Sequence, residues 1–273
     1  MEECEAITAD YLAMLASECS GQRYSKAEHR RALQLKLNDR SEGSIEYKHQ
    51  NISAVLLRNG FAYLSGYKPA WNYQALLADI VLSQLNAREK ELGELEEKLL
   101  EQDTPVQSVL NWQAVFKDPP ERLDEEKIAK PSRRTPRKIN FAEREARNRK
   151  LGYKGEEFVI DLERTRLADI GREDLAKEVE WTSRDKGDGA GFDIRSFNGL
   201  TDDEMYVEVK TTNSGKYQPF LISVNEVEFS DEFSSKYALY RVFDFKSSPA
   251  IFRLIGSIRA NVNLTPKLFF ASF

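Results

Sequence analysis

The stretch Tyr206-Val207-Glu208-Val209-Lys210-Thr211-Thr212 alternates apolar and polar side chains, which is typical of a β-strand. The alternation places Glu208 and Lys210 on one face, about 6.5–7 Å apart along the strand. The two valines face the opposite way, into packing. Because central strands normally pack apolar residues on both faces, this charged pair must be ion-paired, solvated in a cleft or bound to a metal. An exposed cross-strand ion pair is the simpler of these explanations.

A glycine-rich turn precedes this strand. It runs from Gly187 to Gly191 and leads into Phe192-Asp193-Ile194, where Asp193 lies 15 residues before Glu208. If the two strands are neighbours, Asp193 and Glu208 converge, and two carboxylates can bind a hard divalent cation. Such an ion polarises a phosphoryl group and lowers the pKa of a bound water. Lys210 can then orient that water or stabilise charge that develops on the phosphate.

A third carboxylate comes from a long helix that we predict from Phe141 to about Leu167. Glu156 shares a face of this helix with Val159 and Ile160, so its side chain points toward apolar packing. Glu157 lies nearer to the exposed side. We therefore choose Glu156 as the third acid.

The scarce residue types exclude several kinds of site. The chain has two cysteines and two histidines, without any C-x-x-C spacing, which excludes a zinc ribbon or finger and argues against a disulfide framework. A histidine-based nuclease or hydrolase would depend on His29 or His49, for which a surface or core role is favoured. Any metal should therefore be held by carboxylates, which indicates Mg²⁺ or Mn²⁺ as the cofactor.

Size and hydropathy indicate about two domains without a membrane segment. The chain has 273 residues, of which 41% are apolar and 31% charged. No apolar stretch approaches the roughly 18–20 residues that span a bilayer. The acidic N-terminus does not resemble a secretory signal. We expect a cytoplasmic protein with no membrane partner.

The pattern changes along the chain predict an α+β protein. We expect an all-helical domain over residues 1–102, a proline-rich basic linker over 103–140, and a domain with a central mixed sheet over 141–273. The predicted strands of that sheet are Phe192–Phe197, Met205–Thr212, Pro219–Val224, Tyr237–Phe243 and Ile251–Ile258. A short helix is predicted at Asn225–Ser234, and Asn225 and Glu226 are expected to have a capping or DNA-facing role.

The first hundred residues contain four predicted helices. Their expected bounds are Glu5–Glu18, Lys26–Leu37 after a capping box at Ser25, a helix capped by Ser44 and ending near Arg58, and a last helix from about Asn72. The last helix continues through Leu85, Leu92 and Leu99 at a spacing of seven residues. Two heptads fit a solvated helical linker as the default and a homodimer helix as the alternative.

Charge is segregated although the chain is acidic, with a net charge of −5. Between Lys127 and Lys154 the chain has eleven lysines and arginines against two glutamates. A solvated basic linker explains this run, and an arm that contacts a polyanion is the alternative. In the second interpretation Arg133, Arg134, Arg137 and Lys138 follow the backbone of double-stranded DNA.

The ordered set of motifs resembles a known family. These motifs are Gly155-Glu156, Gly191–Ile194, Glu208–Thr212, Ile222–Glu226 and Tyr237–Val242. They resemble the Mrr-like branch of the PD-(D/E)xK nucleases, and in particular the C-terminal domain of the plant NO VEIN protein, over about residues 148–272.

The resemblance implies a restriction-endonuclease-like fold and a set of site residues. Asp193 and Glu208 would be the metal ligands, Lys210 the catalytic lysine and Glu156 the helix acid. Phe192 stands where the family pattern has proline. This departure leaves the ligand set unchanged because proline supplies no ligand.

A weaker pattern lies in the N-terminal part. The segment Arg40-x-x-x-Ser44-Ile45-x-x-Lys48-x-x-Asn51-Ile52 resembles helix-turn-helix modules fused to restriction nucleases. In that interpretation Lys48, His49 and Gln50 are displayed on or near a recognition helix and Arg40 reaches a phosphate. A helical bundle used for protein contact is the alternative.

These patterns lead to two functional hypotheses of different classes. The first is a metal-dependent endonuclease acting on double-stranded DNA, in bacterial restriction or phage defence, with modified DNA as one candidate target. The second is a catalytically inactive DNA-binding or adaptor protein with a vestigial nuclease fold. A purely structural helical partner protein is a third reading, and it predicts no salt-dependent binding of DNA.

Overall fold

The structure is a computed structural model that describes residues 1–20, 22–59, 61, 63–64, 66–101, 111–122, 141–213 and 215–266. The N-terminal part contains helices α1 (Glu2–Cys19), α2 (Lys26–Gln34), α3 (Glu42–Arg58) and α4 (Ala75–Glu101). The later helices are α5 (Trp112–Val115), α6 (Phe141–Asp169), α7 (Glu173–Glu178), α8 (Thr182–Lys186), α9 (Val224–Glu232) and α10 (Ile258–Asn261). The strands are β1 (Glu180–Trp181), β2 (Ile194–Phe197), β3 (Glu204–Thr211), β4 (Tyr237–Phe243) and β5 (Ala250–Ile255).

Helices α1 to α4 surround one apolar core. Its centre is formed by side chains such as Leu12, Ile52 and Leu82, which are fully or almost fully buried. A buried hydroxyl links three segments, because Tyr11 contacts Ser53 Oγ at 2.7 Å and accepts a hydrogen bond from Leu64 N at 2.9 Å. Within the described residues, none of the helices combines the length and the apolarity needed to cross a membrane.

Two helix starts illustrate how local sequence fixes these elements. Ser25 caps α2, because its side chain accepts a hydrogen bond from Glu28 N, which is one of the two bonds of the predicted capping box. The prediction that Ser44 caps the next helix is wrong. Ser41 is the cap, and it accepts its bond from Ser44 N, so α3 begins one turn earlier than expected. Ser41 and Ser44 both precede the same apolar pattern, and Ser41, the earlier of the two, starts the helix.

The C-terminal part is built on a five-stranded mixed sheet with the order β1-β2-β3-β4-β5. Neighbouring strands are antiparallel except β3 and β4, which are parallel. Helix α6 covers one face, where Phe158 and Val159 pack in one core with Val207 and Val209. The α+β architecture that the sequence predicted is confirmed.

A buried carboxylate fastens α6 to the sheet. Glu163 is fully buried and accepts hydrogen bonds from Ser196 Oγ on β2 at 2.6 Å and from the Tyr240 hydroxyl on β4 at 3.0 Å. Arg166, one turn further along α6, pairs with the same carboxylate at 2.6 Å. Because every partner lies in the fold itself, Glu163 has a structural role on the face opposite the candidate site.

The predicted strand Pro219–Val224 is wrong. Residues 218–223 have no regular secondary structure, and Val224 is the first residue of α9. Ser223 and Glu226 form a reciprocal capping box at this point, which draws Val224 into the helix and confirms the expected capping role of Glu226. Pro219 also lacks the N–H that a central strand needs.

The segment between the two parts is described only in residues 111–122. There Trp112, Val115 and Phe116 pack against the core of the sheet. The four basic residues Arg133, Arg134, Arg137 and Lys138 lie outside the described residues, as do the side chains of Leu92 and Leu99. The basic arm and the homodimer helix therefore stay predictions, and so do the domain boundaries.

Candidate active site

The sequence predicted that Asp193 and Glu208 converge if their strands are neighbours, and β2 and β3 are neighbours in the sheet. Ile194 on β2 pairs with Val207 on β3, and Asp193 is the residue immediately before this paired strand. The backbone of Asp193 donates to Val207 O at 3.0 Å. Its carboxylate accepts a hydrogen bond from Val209 N at 2.8 Å. The turn before β2 therefore ends with the Asp193 side chain fixed against the edge of β3.

Lys210 is held between two carboxylates. Its Nζ lies 2.6 Å from Glu208 Oε1 and 3.0 Å from Glu226 Oε2. Glu208 is only 2% exposed, and the Lys210 side chain is largely covered. The interpretation of Glu208 and Lys210 as an exposed ion pair is therefore wrong. This pair is buried, where the attraction between unlike charges is stronger than in water.

Burial and mutual repulsion shift the pKa values of these acids. Burial, followed by the nearby charge of Glu156, raises the pKa of Asp193 to about 7. Burial also raises the pKa of Glu208 well above its usual value, and the charges of Asp193 and Glu226 act in the same direction. Two neighbouring carboxylates that resist ionisation form a place where a cation is favourable.

Lys210 responds in the opposite sense. Burial alone would lower the pKa of this lysine, but the charges of Glu208, Glu226 and Asp193 outweigh burial and raise the pKa above its usual value. Lys210 is therefore an ammonium group at neutral pH.

Glu156 lies beside this group but is engaged elsewhere. Its Oε2 accepts hydrogen bonds from Trp181 Nε1 at 2.7 Å and from Ser183 Oγ at 2.5 Å. Ser183 N in turn donates to Asp193 O at 3.0 Å, so the three residues form one connected network. Glu157 is exposed, as the helical pattern predicted. Glu156 thus binds Trp181 and Ser183, and Ser183 in turn binds the backbone of Asp193.

Two glycines allow the close approaches that form the site. A Cβ on Gly155 would lie 1.8 Å from Thr211 Oγ1, so only glycine lets α6 pack this closely on the end of β3. Gly191 has a φ of +84°, and a Cβ there would lie 2.7 Å from Phe229 Cβ. The glycine turn before Asp193 therefore serves both backbone geometry and packing against α9.

The donor set fits a magnesium or manganese ion held by two carboxylates. Asp193 and Glu208 supply hard oxygen ligands, and Mg²⁺ usually takes one or two carboxylates and completes its shell with waters and phosphate oxygens. Among the residues that the structure describes, no group of three His, Cys, Asp or Glu side chains is arranged to hold a metal. The two further acids are not free to act as a third ligand, because Glu156 binds Trp181 and Ser183 and Glu226 binds Lys210.

The residues predicted to contact DNA in the N-terminal part are not equally available. His49 is completely buried, so its display on a recognition helix is wrong. It packs edge-on against Tyr67 with ring centroids 4.9 Å apart, because it falls on the core face of α3. Lys48 and Gln50 are half-buried, and Arg40 forms an exposed ion pair with Glu3 at 2.8 Å.

Sequence reasoning missed the involvement of two residues. Glu226 was assigned a capping or DNA-facing role, and it also binds Lys210. Arg241 lies directly opposite Lys210 on β4 and is 2% exposed. The sequence held no signal for either contact, because both depend on the parallel pairing of β3 with β4 and on the path of the segment between them.

A comparison with known families matches the region that contains this site. Residues 155–255 match the family model of the C-terminal domain of protein NO VEIN, a domain linked to the PD-(D/E)xK nuclease superfamily. No curated protein and no solved structure matches the chain. The matched stretch contains Glu156, Asp193, Glu208, Lys210, Glu226 and Arg241. Residues 155–255 are therefore similar to the NO VEIN C-terminal domain, and the resemblance noted from the motifs is confirmed at that level.

Proposed function

We propose that the protein is a divalent-metal-dependent DNA endonuclease. The observation that carries this proposal is the buried Lys210, which lies between Glu208 and Glu226. The carboxylate of Asp193 is bonded to the same strand, at Val209 N. A buried group of acids around one ammonium is costly to fold, so it is expected where chemistry requires it.

Each side chain has a role that follows from its contacts. Asp193 and Glu208 would hold Mg²⁺ or Mn²⁺, which when bound supplies Lewis-acid polarisation of a phosphoryl group and a more acidic water. Lys210 stays protonated because its carboxylate neighbours raise its pKa. It therefore donates hydrogen bonds and stabilises negative charge on the phosphate, and it does not accept a proton from water.

Two further acids act as positioning residues. Glu226 is the second carboxylate that binds the Lys210 ammonium, and it also caps α9, so the lysine and the helix are held together. Glu156 orders Trp181 and Ser183 next to the backbone of Asp193. Neither residue needs to touch the substrate for its removal to misplace the reacting groups.

Cleavage of plasmid DNA in Mn²⁺ tests the proposal. Lys210→Ala should lower the rate by about 10²–10³-fold, as removal of one transition-state donor does elsewhere. Glu226→Gln should lower it by about tenfold, because one charge-assisted contact to Lys210 is weakened. Lys177→Ala and Glu228→Gln change exposed residues on α7 and α9 and serve as matched controls. Equal rates for the wild type and for folded Lys210→Ala would refute the catalytic role.

The biological setting belongs to the same proposal. It comprises restriction or phage defence, the use of modified DNA and a homodimer that cuts both strands, and the family match supports only the link to nucleases. A panel of plasmids with and without cytosine or adenine modification distinguishes these substrates. Cleavage confined to modified plasmids would support modification-dependent restriction.

A second candidate is a DNA-binding or adaptor protein without catalysis. It is favoured by one observation, that Lys210 is closed by two ion pairs while no three-ligand metal group is present among the described residues. In this case the wild type binds DNA in a salt-dependent manner but cuts neither modified nor unmodified plasmid.

A further inference from the structure

Arg241 is a buried cation on the same face of the sheet as Lys210. The two residues are direct partners in the parallel pairing of β3 and β4, so their side chains leave the sheet side by side. Arg241 is 2% exposed, and its Nη2 donates to Gln218 O at 3.0 Å. Its guanidinium lies 5.2 Å from the ring centroid of Phe220, and its Nε has no hydrogen-bond partner.

The charge of Arg241 is uncompensated within the described residues. None of their carboxylates forms an ion pair with it, whereas Lys210 has two such partners. Burial lowers the pKa of Arg241 to about 9. A buried arginine that has no anionic partner and an Nε without a hydrogen-bond acceptor lowers the stability of the fold. An anionic ligand would neutralise the charge and accept that hydrogen bond.

The cover over Arg241 is a short irregular segment, which we call the covering segment and define as residues 215–222. It connects the strand of Lys210 to the helix of Glu226. Its contacts with the guanidinium are one backbone carbonyl, from Gln218, and one ring, from Phe220. Moving these two groups aside would expose Arg241 next to Lys210.

A cleft lies beside the covering segment. It has a volume of about 350 Å³ and lies between the helical part and the sheet. Its lining includes Lys68, Lys216, Tyr217, Gln218 and Phe243. Gln218 is the residue whose carbonyl covers Arg241, and Phe243 follows Arg241 by two positions on the same face of β4.

We propose that Arg241 is a phosphate-binding residue that takes a backbone phosphate of the DNA strand next to the scissile one, in place of the Gln218 carbonyl. This inference rests on the proposed function, because the position of the phosphate is defined relative to Lys210. A free phosphate or a mononucleotide offers the same chemistry as a DNA backbone phosphate. The experiment below distinguishes these ligands from DNA.

The test compares the wild type with Arg241→Met, and with Lys177→Met as the exposed control. Binding of duplex DNA is measured against salt with a chelator present, so that no strand is cut. We expect Arg241→Met to keep or raise the melting temperature, since it removes an unpaired buried charge. It should also reduce the slope of log K against log salt by about 1, the loss of one phosphate contact.

Inorganic phosphate and a mononucleotide form the second arm. Thermal protection of the wild type but not of Arg241→Met, with an unchanged salt slope, would assign the site to a free phosphate. The proposal is overturned if Arg241→Met folds and keeps both the wild-type salt slope of DNA binding and the wild-type thermal protection by phosphate. A lower melting temperature with an unchanged slope and unchanged protection also overturns it, because Arg241 would then be only structural.

Phe220→Ala provides an independent variant in case Arg241→Met does not fold. Removing the ring weakens the cover, so phosphate or DNA should bind several-fold more tightly than to the wild type. Equal or weaker binding contradicts the proposal. These binding measurements do not depend on cleavage. A wild type that fails to cut DNA would refute the nuclease proposal, and the binding data would still decide whether Arg241 binds phosphate.

Discussion

Single residues in this protein show what burial does to a charge when its partners differ. Lys210 is buried among carboxylates, and they raise its pKa. His49 is buried among aromatic rings with both ring nitrogens lacking hydrogen-bond partners. Burial, followed by the charges of His29 and Lys26, lowers the pKa of His49 to about 4. Burial thus disfavours the charge on both side chains, and the carboxylates around Lys210 outweigh it there.

His49 should make stability depend on pH. Its pKa is about 4 in the folded protein against 6.5 unperturbed, so the unfolded chain binds the proton more tightly. The contribution of neutral His49 to the free energy of unfolding is fully present above pH 6.5 and is lost as the pH falls toward 4. The free energy of unfolding falls by at most about 3 kcal/mol for this reason. Urea unfolding across this range should show the loss in the wild type but not in His49→Phe. Parallel pH profiles for the two proteins would contradict this account.

The residues of the site differ in how far the sequence could predict them. The alternation around Glu208 places Lys210 beside it, since a strand has a period of two, and the pairing of β2 with β3 brings Asp193 to the same strand. Glu226 and Arg241 could not be assigned in this way. Their contacts depend on which strands pair and on how an irregular segment returns, and neither is encoded in a local pattern.

At the scale of elements, the approach of α6 to β3 positions the site. The helix meets the end of the strand at Gly155 and Thr211, where any side chain on the helix would collide. The same strand places Lys210 one residue before Thr211. The packing distance between helix and strand is therefore set by one residue that has no side chain.

Two alanine substitutions on α6 should have opposite effects. Gly155→Ala places a methyl group 1.8 Å from Thr211 Oγ1 and should lower the free energy of unfolding. The overpacking cost is about 1–3 kcal/mol. Gly152→Ala meets only Glu156 Oε1, at 4.0 Å, and should stabilise the helix. The gain there is up to about 1 kcal/mol. Urea unfolding measures both, and destabilisation of the same size at the two positions would refute the close approach.

Element boundaries show where local pattern fails. The strands Glu204–Thr211 and Tyr237–Phe243 were predictable, because each alternates or is apolar over several residues. The expected strand at Pro219–Val224 is also apolar over several residues, but a capping box redirects its end into α9. Strand β1 has two residues and no period to detect.

At the scale of the molecule, the sequence predicted two parts and a linker, and the structure adds side-chain contacts that join the helical part to the sheet. Trp112 and Phe116 pack on the sheet core, and Tyr217 of the covering segment packs against the helical core. These contacts bring the proposed phosphate site to the junction of the two parts. A composition shift could indicate two parts but could not predict which surfaces meet, since that depends on tertiary packing.

The central claim is that Asp193 and Glu208 share one divalent ion. Calorimetric titration of the protein with Mn²⁺ tests it most directly, with Asp193→Asn and Glu208→Gln as variants and the exposed Glu157→Gln as the control. The account predicts one ion per wild-type or control chain, and loss of that binding in either site variant. Binding of no ion by the wild type, or equal binding by all four proteins, would contradict it.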